Sequence, residues 1–216
     1  MTRRLHLLRC GVSAMLLCGV NVIVAARAAA ESSRVIAIEE HWELQVARPD
    51  ADRSAPQTTM VMSPTGDLTD THFLLTLNHV TVPDYQPGGL QVQLWNGEEL
   101  VEEKVEQESV ALSHSDETVR WIQRLSLANG TLKFEVINGA SESWPAFGGE
   151  GLSLSATTSL TSLNGYRPAV SLSESQVGYA ENRVDSLVLT KLVWITEDGQ
   201  VHELNAPIPI DTSVGD

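Results

Sequence analysis

Apolar side chains recur at every second position through most of this chain, and almost nowhere at the 3.6-residue spacing of an amphipathic helix. Across residues 72–78, Phe73, Leu75 and Leu77 fall on one strand face and Leu74, Thr76 and Asn78 on the other. Residues 90–95 alternate the same way, with Leu90, Val92 and Leu94 expected inward. Residues 118–128 set Val119, Trp121, Leu125 and Leu127 against Arg120, Arg124 and Ser126, and residues 131–137 resume with Leu132, Phe134 and Val136. Asn129-Gly130 joins those two runs. A type I′ turn needs positive φ at both central positions, which this dipeptide tolerates well, so a hairpin is predicted there.

Residues 186–195 are almost continuously apolar or β-branched, as in a strand covered on both faces, and Asp198-Gly199 turns them into 200–204. Shorter runs at 35–38, 42–46, 60–62, 110–112 and 152–155 bring the expectation to about ten or eleven strands. Residues 98–110, with acids at 98, 99, 102, 103, 106 and 108, fit either a helix or the second arm of a hairpin through Asn96-Gly97. Strand and loop is the reading taken. No linker, repeat or composition break divides these elements. The predicted fold class is all-β: one antiparallel, jelly-roll-like β-sandwich over residues 31–216. A membrane barrel would need aromatic girdles, and aromatics make up only 5% of the chain.

The first 30 residues follow a different grammar. Arg3, Arg4 and Arg9 precede an apolar stretch over 11–26, and Ala28-Ala29-Ala30 supplies small residues for cleavage before Glu31. That is the order of a secretory signal peptide. The apolar stretch is also short of the roughly 20 residues that a spanning helix needs. An acylated Cys18 fits poorly, because Leu17 stands where a lipobox wants a small residue. The expectation is export to an extracellular, periplasmic or cell-surface setting, with no transmembrane anchor in the mature chain.

Cleavage sharpens the charge. The whole chain has 28 acids, 14 bases and a net charge of −14. Removing Arg3, Arg4, Arg9 and Arg27 leaves 28 acids, 10 bases and a net charge of −18, and both cysteines leave with the leader. Thiol chemistry and disulfides are then excluded from the mature domain. Nucleic acid is excluded as a partner, since binding it requires a basic footprint. Polyanionic substrates are disfavoured for the same reason.

Catalytic and metal patterns are missing. His41, His72, His79, His114 and His202 form no ligand-spaced pair, although His41 and Glu43 would share a strand face. There is no G-x-S-x-G elbow, and the serines between 152 and 175 read as a polar strand face and a loop. The Glu39-Glu40-His41-Trp42-Glu43 run lacks the central Asp and the register of a sandwich glycosidase motif. Gln200-Val201-His202 looks like the Q-[IV]-H of jelly-roll alginate lyases, without their companion motifs. No cofactor, metal or catalytic residue is assigned.

Tryptophan is the remaining signal. Trp42, Trp95, Trp121, Trp144 and Trp194 accompany only three Phe and three Tyr. Core packing is expected for Trp121 and Trp194, which are embedded in strands. Trp144 lies in the loop over 141–149, where burial is not automatic. Trp144 and Phe147 are therefore the candidate ligand-binding residues, with a loop anchor as the other reading of Trp144.

Three segments carry a resemblance: 132–139 with Ser143-Trp144-Pro145-Ala146-Phe147-Gly148-Gly149, 161–171 around Asn164-Gly165-Tyr166, and 178–189 around Asn182-Arg183-Val184. Together they resemble an uncharacterised family of secreted proteins of planctomycete-type bacteria. The resemblance implies export and a sandwich similar to the concanavalin/laminin-G lectin-like fold, and brings no catalytic residues. The function expected from the whole is a secreted, non-catalytic binding or interaction module. Its expected partner is an extracellular glycan or a cell-envelope protein. The rivals are a carbohydrate-active enzyme, hydrolase or lyase, with dispersed carboxylates, and a structural cell-envelope protein.

Overall fold

The computed structural model describes residues 33–47, 56–78, 80–81, 86–87, 89–107, 112, 114–179, 183–205 and 207–210. In chain order, the first strands are β1 (Val35–Val46), β2 (Gln57–Met62), β3 (Thr71–Leu77), β4 (Val80–Thr81) and β5 (Gln86–Pro87). Then come β6 (Leu90–Asn96), β7 (Glu99–Glu106), β8 (Thr118–Ala128), β9 (Thr131–Ala140) and β10 (Ser153–Thr157). A short helix, α1 (Pro168–Glu174), precedes β11 (Gln176–Tyr179), β12 (Val184–Thr196), β13 (Val201–Leu204) and β14 (Ile208–Ile210).

Two antiparallel sheets make the sandwich. One has seven strands in the order β10-β9-β8-β1-β12-β13, with β14 also paired to β12. The other has five, in the order β11-β2-β3-β6-β7, and β4 pairs separately with β5. Period-two alternation sends one side chain in two to the space between the sheets. There Phe73 of β3 stacks on Phe134 of β9 with centroids 5.2 Å apart, tying one sheet to the other. Trp42 and Trp121 stack side by side on β1 and β8 at 6.5 Å. The inward set expected from the pattern is buried: Phe73, Leu75, Leu77, Leu90, Val92, Leu94, Val119, Trp121, Leu125, Leu132, Phe134 and Val136.

The hairpin at Asn129-Gly130 forms as predicted, with φ of 51° and 72°. Residues 99–106 are a strand, reached from β6 through Asn96-Gly97. Four details differ. The runs at 35–38 and 42–46 merge into one twelve-residue strand, because residues 39–41 continue the alternation through polar side chains. The run at 152–155 begins as a 3-10 turn over Glu150–Leu152 and becomes a strand only at Ser153. Of the run at 110–112, only Leu112 is among the described residues, and it is buried outside any strand. Finally, α1 was not expected. It has Pro at its first helical position, where the missing N–H costs nothing. At seven residues it is too short to print a helical period in the sequence.

That helix blunts a sheet edge. β11 pairs with β2 only over residues 57–59. Beyond that point the Val61 N–H donates to Ser175 Oγ at 3.1 Å, at the end of α1. Among the described residues, no helix is long and apolar enough to cross a membrane.

Candidate functional site

The loop over 141–149 is folded down onto the seven-stranded sheet. Glu117, itself buried, accepts hydrogen bonds from Ser143 N at 2.6 Å and Ser143 Oγ at 2.8 Å. Phe147 and Gly139 exchange backbone hydrogen bonds at 3.0 and 3.1 Å, and Gly149 N donates to Val136 O at 2.7 Å. Under this clamp Trp144 is 0% exposed and meets Phe147 edge-on at 6.0 Å. Phe147 is 7% exposed and lies so tightly on Gly139 that a Cβ there would sit 2.3 Å from its ring.

The expectation that Trp144 and Phe147 bind ligand gains no support from this burial. A fully buried indole offers no face to a sugar, and the loop-anchor reading of Trp144 is the one its burial fits. Phe147 lines an open surface depression of about 440 Å³, shared with Glu106, Gln107, Ala146 and Gly148, and is itself mostly buried. The sequence did hold a signal for this. Gly139 and Gly148, whose Cβ would sit 2.4 Å from Val136 O, mark the close approach that packs the loop down.

Of the five tryptophans, Trp42, Trp121, Trp144 and Trp194 are core residues, and Trp95 alone is not. The fate of Trp95 follows from strand parity. Leu90, Val92 and Leu94 point inward on β6, so Gln91, Gln93 and Trp95 point to the outer face of the five-stranded sheet. Register places Trp95 opposite His72 on β3 and Leu100 on β7, and Gln93 opposite Leu74 and Glu103. A bulge after Leu94 leaves Val101 out of the ladder, and Leu100 and Val101 are 40% and 56% exposed. Trp95 Nε1 donates to Gln93 Oε1 at 3.2 Å. Gln93 Nε2 and Gln91 Nε2 both donate to Glu103 Oε2, at 3.3 and 3.1 Å. The result is a half-buried indole beside a fixed ladder of two carboxamides and one carboxylate.

A second polar cluster lies inside. Glu40 shares the inward face of β1 with Ile38, Trp42 and Leu44, and all four are buried. Tyr166, just before α1, donates its phenol O–H to Glu40 Oε1, and Trp42 Nε1 donates to Glu40 Oε2 at 3.0 Å. Burial pushes the Glu40 carboxyl above its ordinary pKa, against the opposing pull of Ser171, Tyr166 and Trp42. Ser171 Oγ exerts that pull from nearby without forming a hydrogen bond of standard geometry. Burial and the facing Glu40 also raise Tyr166 well above its ordinary value, which keeps the phenol a donor. Gln123 of β8 sits opposite Glu40, and neither end of its amide has a protein partner. Solvent does not reach this cluster, so in this conformation Glu40 meets no substrate.

The other sequence candidates stay apart. His41 and Glu43 do share an outer face, with Glu39, but Glu43 is held by Arg120 at 2.8 Å. His41 lies 3.5 Å from Glu39, and burial followed by Lys191 lowers its pKa. No group of three His, Cys, Asp or Glu side chains comes together among the described residues. His202 sits on β13 opposite Trp194, with no acid–base companion in its register. Ser153, Ser171 and Ser175 are buried, while Ser155, Ser159 and Ser173 face solvent.

No family model matches the chain, and no curated protein matches it. Among solved structures it is similar to Scytalido-glutamic peptidase with a peptide-based transition state analog. The TM-score is 0.35 and the identity 10%, over 81% of this chain and 82% of that one. That likeness is too low to carry a residue or an activity from one chain to the other.

Proposed function

We propose that the protein is an exported, non-catalytic binding module that holds carbohydrate at the β6–β7 edge of the outer face of its five-stranded sheet, since Val61, His72, Thr76 and Gln91 further along that face are buried. One observation carries the reading: Trp95 is the tryptophan that folding leaves at the surface, next to exposed Leu100 and Val101. An indole is a broad apolar plate with a polar edge, which suits the C–H face of a sugar ring. Here the indole N–H is already engaged by Gln93, so the plate is held in one orientation. The remaining N–H of Gln93 and the second oxygen of Glu103 supply a donor and an acceptor for sugar hydroxyls, while Gln91 is buried and serves to hold Glu103. A sheet face also suits an extended chain better than a small molecule, which favours a cleft. The leader over residues 1–30 supports the exported setting.

The test is binding to immobilised neutral polysaccharides by the wild type and Trp95→Ala. Aromatic anchors of this kind cost about 2 kcal/mol or more on truncation, a loss of about thirtyfold in affinity. Near-UV circular dichroism confirms that the variant is folded. A wild type that binds no glycan, or a Trp95→Ala variant that binds as well as wild type, removes the reading.

A further inference from the structure

Given the proposed carbohydrate face, we infer that Glu103 sets the charge class of its ligand: the Trp95 face takes neutral, hydroxyl-rich glycan chains and rejects acidic ones. Glu103 is the hub of the ladder. Its Oε2 collects both carboxamide N–H donors, from Gln91 at 3.1 Å and Gln93 at 3.3 Å, and Gln93 in turn orients Trp95. Two donors on one oxygen fix the carboxylate and leave Oε1 turned to whatever lies on the face. A carboxylate oxygen accepts hydrogen bonds and donates none, so it pairs with sugar hydroxyls and repels a uronate or sulfate.

Among the described residues, no base on that face offsets the charge. Lys104, the one base on β7, pairs with inward-pointing Val92 and so belongs to the opposite side of the strand. The outward positions of β2, β3 and β6 hold no Lys or Arg: they are Gln, Thr, Val, His, Leu and Trp. His72 is tied through Nδ1 to Asp70 O at 3.0 Å and is almost wholly buried. The carboxylate next to the indole therefore acts locally, over and above the chain's net charge of −14.

The experiment uses laminarin, xyloglucan, mannan and galactan with the folded protein, then carboxymethylates the strongest binder. Wild type should bind the neutral form at least about tenfold more tightly than the charged form, a difference of about 1.4 kcal/mol. Glu103→Gln keeps the shape and an acceptor oxygen, and should narrow that gap while still binding the neutral chain. Raising ionic strength should narrow it in wild type too, because an exposed carboxylate is screened. Glu102→Gln removes a neighbouring charge from the other side of β7 and should leave the gap unchanged.

Equal wild-type affinity for the two forms overturns the inference. So does a gap that Glu103→Gln leaves intact, or one that Glu102→Gln narrows equally, since net charge alone would then explain it. Those results spare the carbohydrate reading. Failure of wild type to bind any of the four neutral chains removes both.

Discussion

The two outward faces of the sandwich handle charge in opposite ways. On the seven-stranded sheet, acids and bases pair and neutralise one another, across neighbouring strands or, for Lys133 and Glu135, along β9. Glu43 pairs with Arg120 at 2.8 Å, Glu39 with Arg124 at 3.7 Å, Glu135 with Lys133 at 2.6 Å and Glu203 with Lys191 at 3.7 Å. The first two pairs are direct register neighbours, the cross-strand arrangement that opposite charges favour. On the five-stranded sheet, Glu103 has only amides for partners among the described residues, and an indole stands beside it. A self-neutralised surface asks nothing of a partner. A lone acceptor beside an apolar plate leaves hydrogen-bonding capacity and apolar area for a ligand to use. The binding reading rests on that asymmetry.

The comparison is cleanest when packing is separated from recognition, and the largest expected effect lies in neither face. Trp144 is fully buried beneath the loop that Glu117 clamps. Trp144→Ala should cost about 3–5 kcal/mol of stability, read from chemical denaturation, and its folded fraction should bind glycan like wild type. Trp95→Ala should show the reverse pattern. If Trp144→Ala keeps its stability and loses binding, the ligand site lies on the loop and the five-stranded face is only a surface.

The next effect concerns the buried carboxyl of Glu40, and it has a sign. Its pKa in the fold is raised by burial, so folding favours the protonated form. The stability this group contributes is fully present below its unfolded pKa and is lost as pH rises through its folded pKa. Asp67, Glu197 and Asp198 have lowered values and act in the opposite sense, so wild type alone does not isolate Glu40. The difference between Glu40→Gln and wild type does. The variant should gain stability relative to wild type as pH rises from the ordinary carboxyl range, measured as the gap between denaturation midpoints. A gap that is flat with pH would mean that Glu40 titrates as if exposed. Neither outcome should move ligand binding on the outer face.

Much of this was legible from parity alone. Alternation in residues 90–95 already puts Trp95 on the side of Gln91 and Gln93, opposite Leu90, Val92 and Leu94. The same counting puts Glu40 inward with Ile38 and Trp42. The loop was not legible in that way. Residues 141–149 carry no period, and their burial depends on Glu117 and Gly139, which meet them only in the fold. Likewise α1 is too short for a periodic signal, and the Tyr166–Glu40 contact spans 126 residues. Local pattern reports which face a side chain takes. It does not report what arrives from elsewhere to cover that face.

The hairpin between β8 and β9 holds two strands of the ion-paired sheet in register, which makes it a probe of that side alone. Asn129 and Gly130 both have positive φ. A Cβ added at Gly130 would meet only Thr158 O, at an ordinary 3.6 Å, so substitution tests backbone strain without a clash. Gly130→Val should therefore cost about 1–3 kcal/mol. An unchanged denaturation midpoint would remove the turn assignment and, with it, the register that aligns Arg124 with Glu135.

The smallest effect belongs to the ion pairs themselves. Arg120 and Glu43 lie 2.8 Å apart, but the arginine side chain is 66% exposed and the glutamate 34%. Water and salt screen such a pair, and ordering two long side chains offsets part of the attraction. A double-mutant cycle with Arg120→Ala and Glu43→Ala should give a coupling of about 0.2–1 kcal/mol, falling as salt is added. Glycan affinity should be the same in all four proteins of the cycle. A coupling well above that range would make the seven-stranded face a structural network rather than a solvated cover. A loss of glycan binding in either single variant would be more damaging. It would place the ligand on the neutralised face and reverse the assignment of the two sheets.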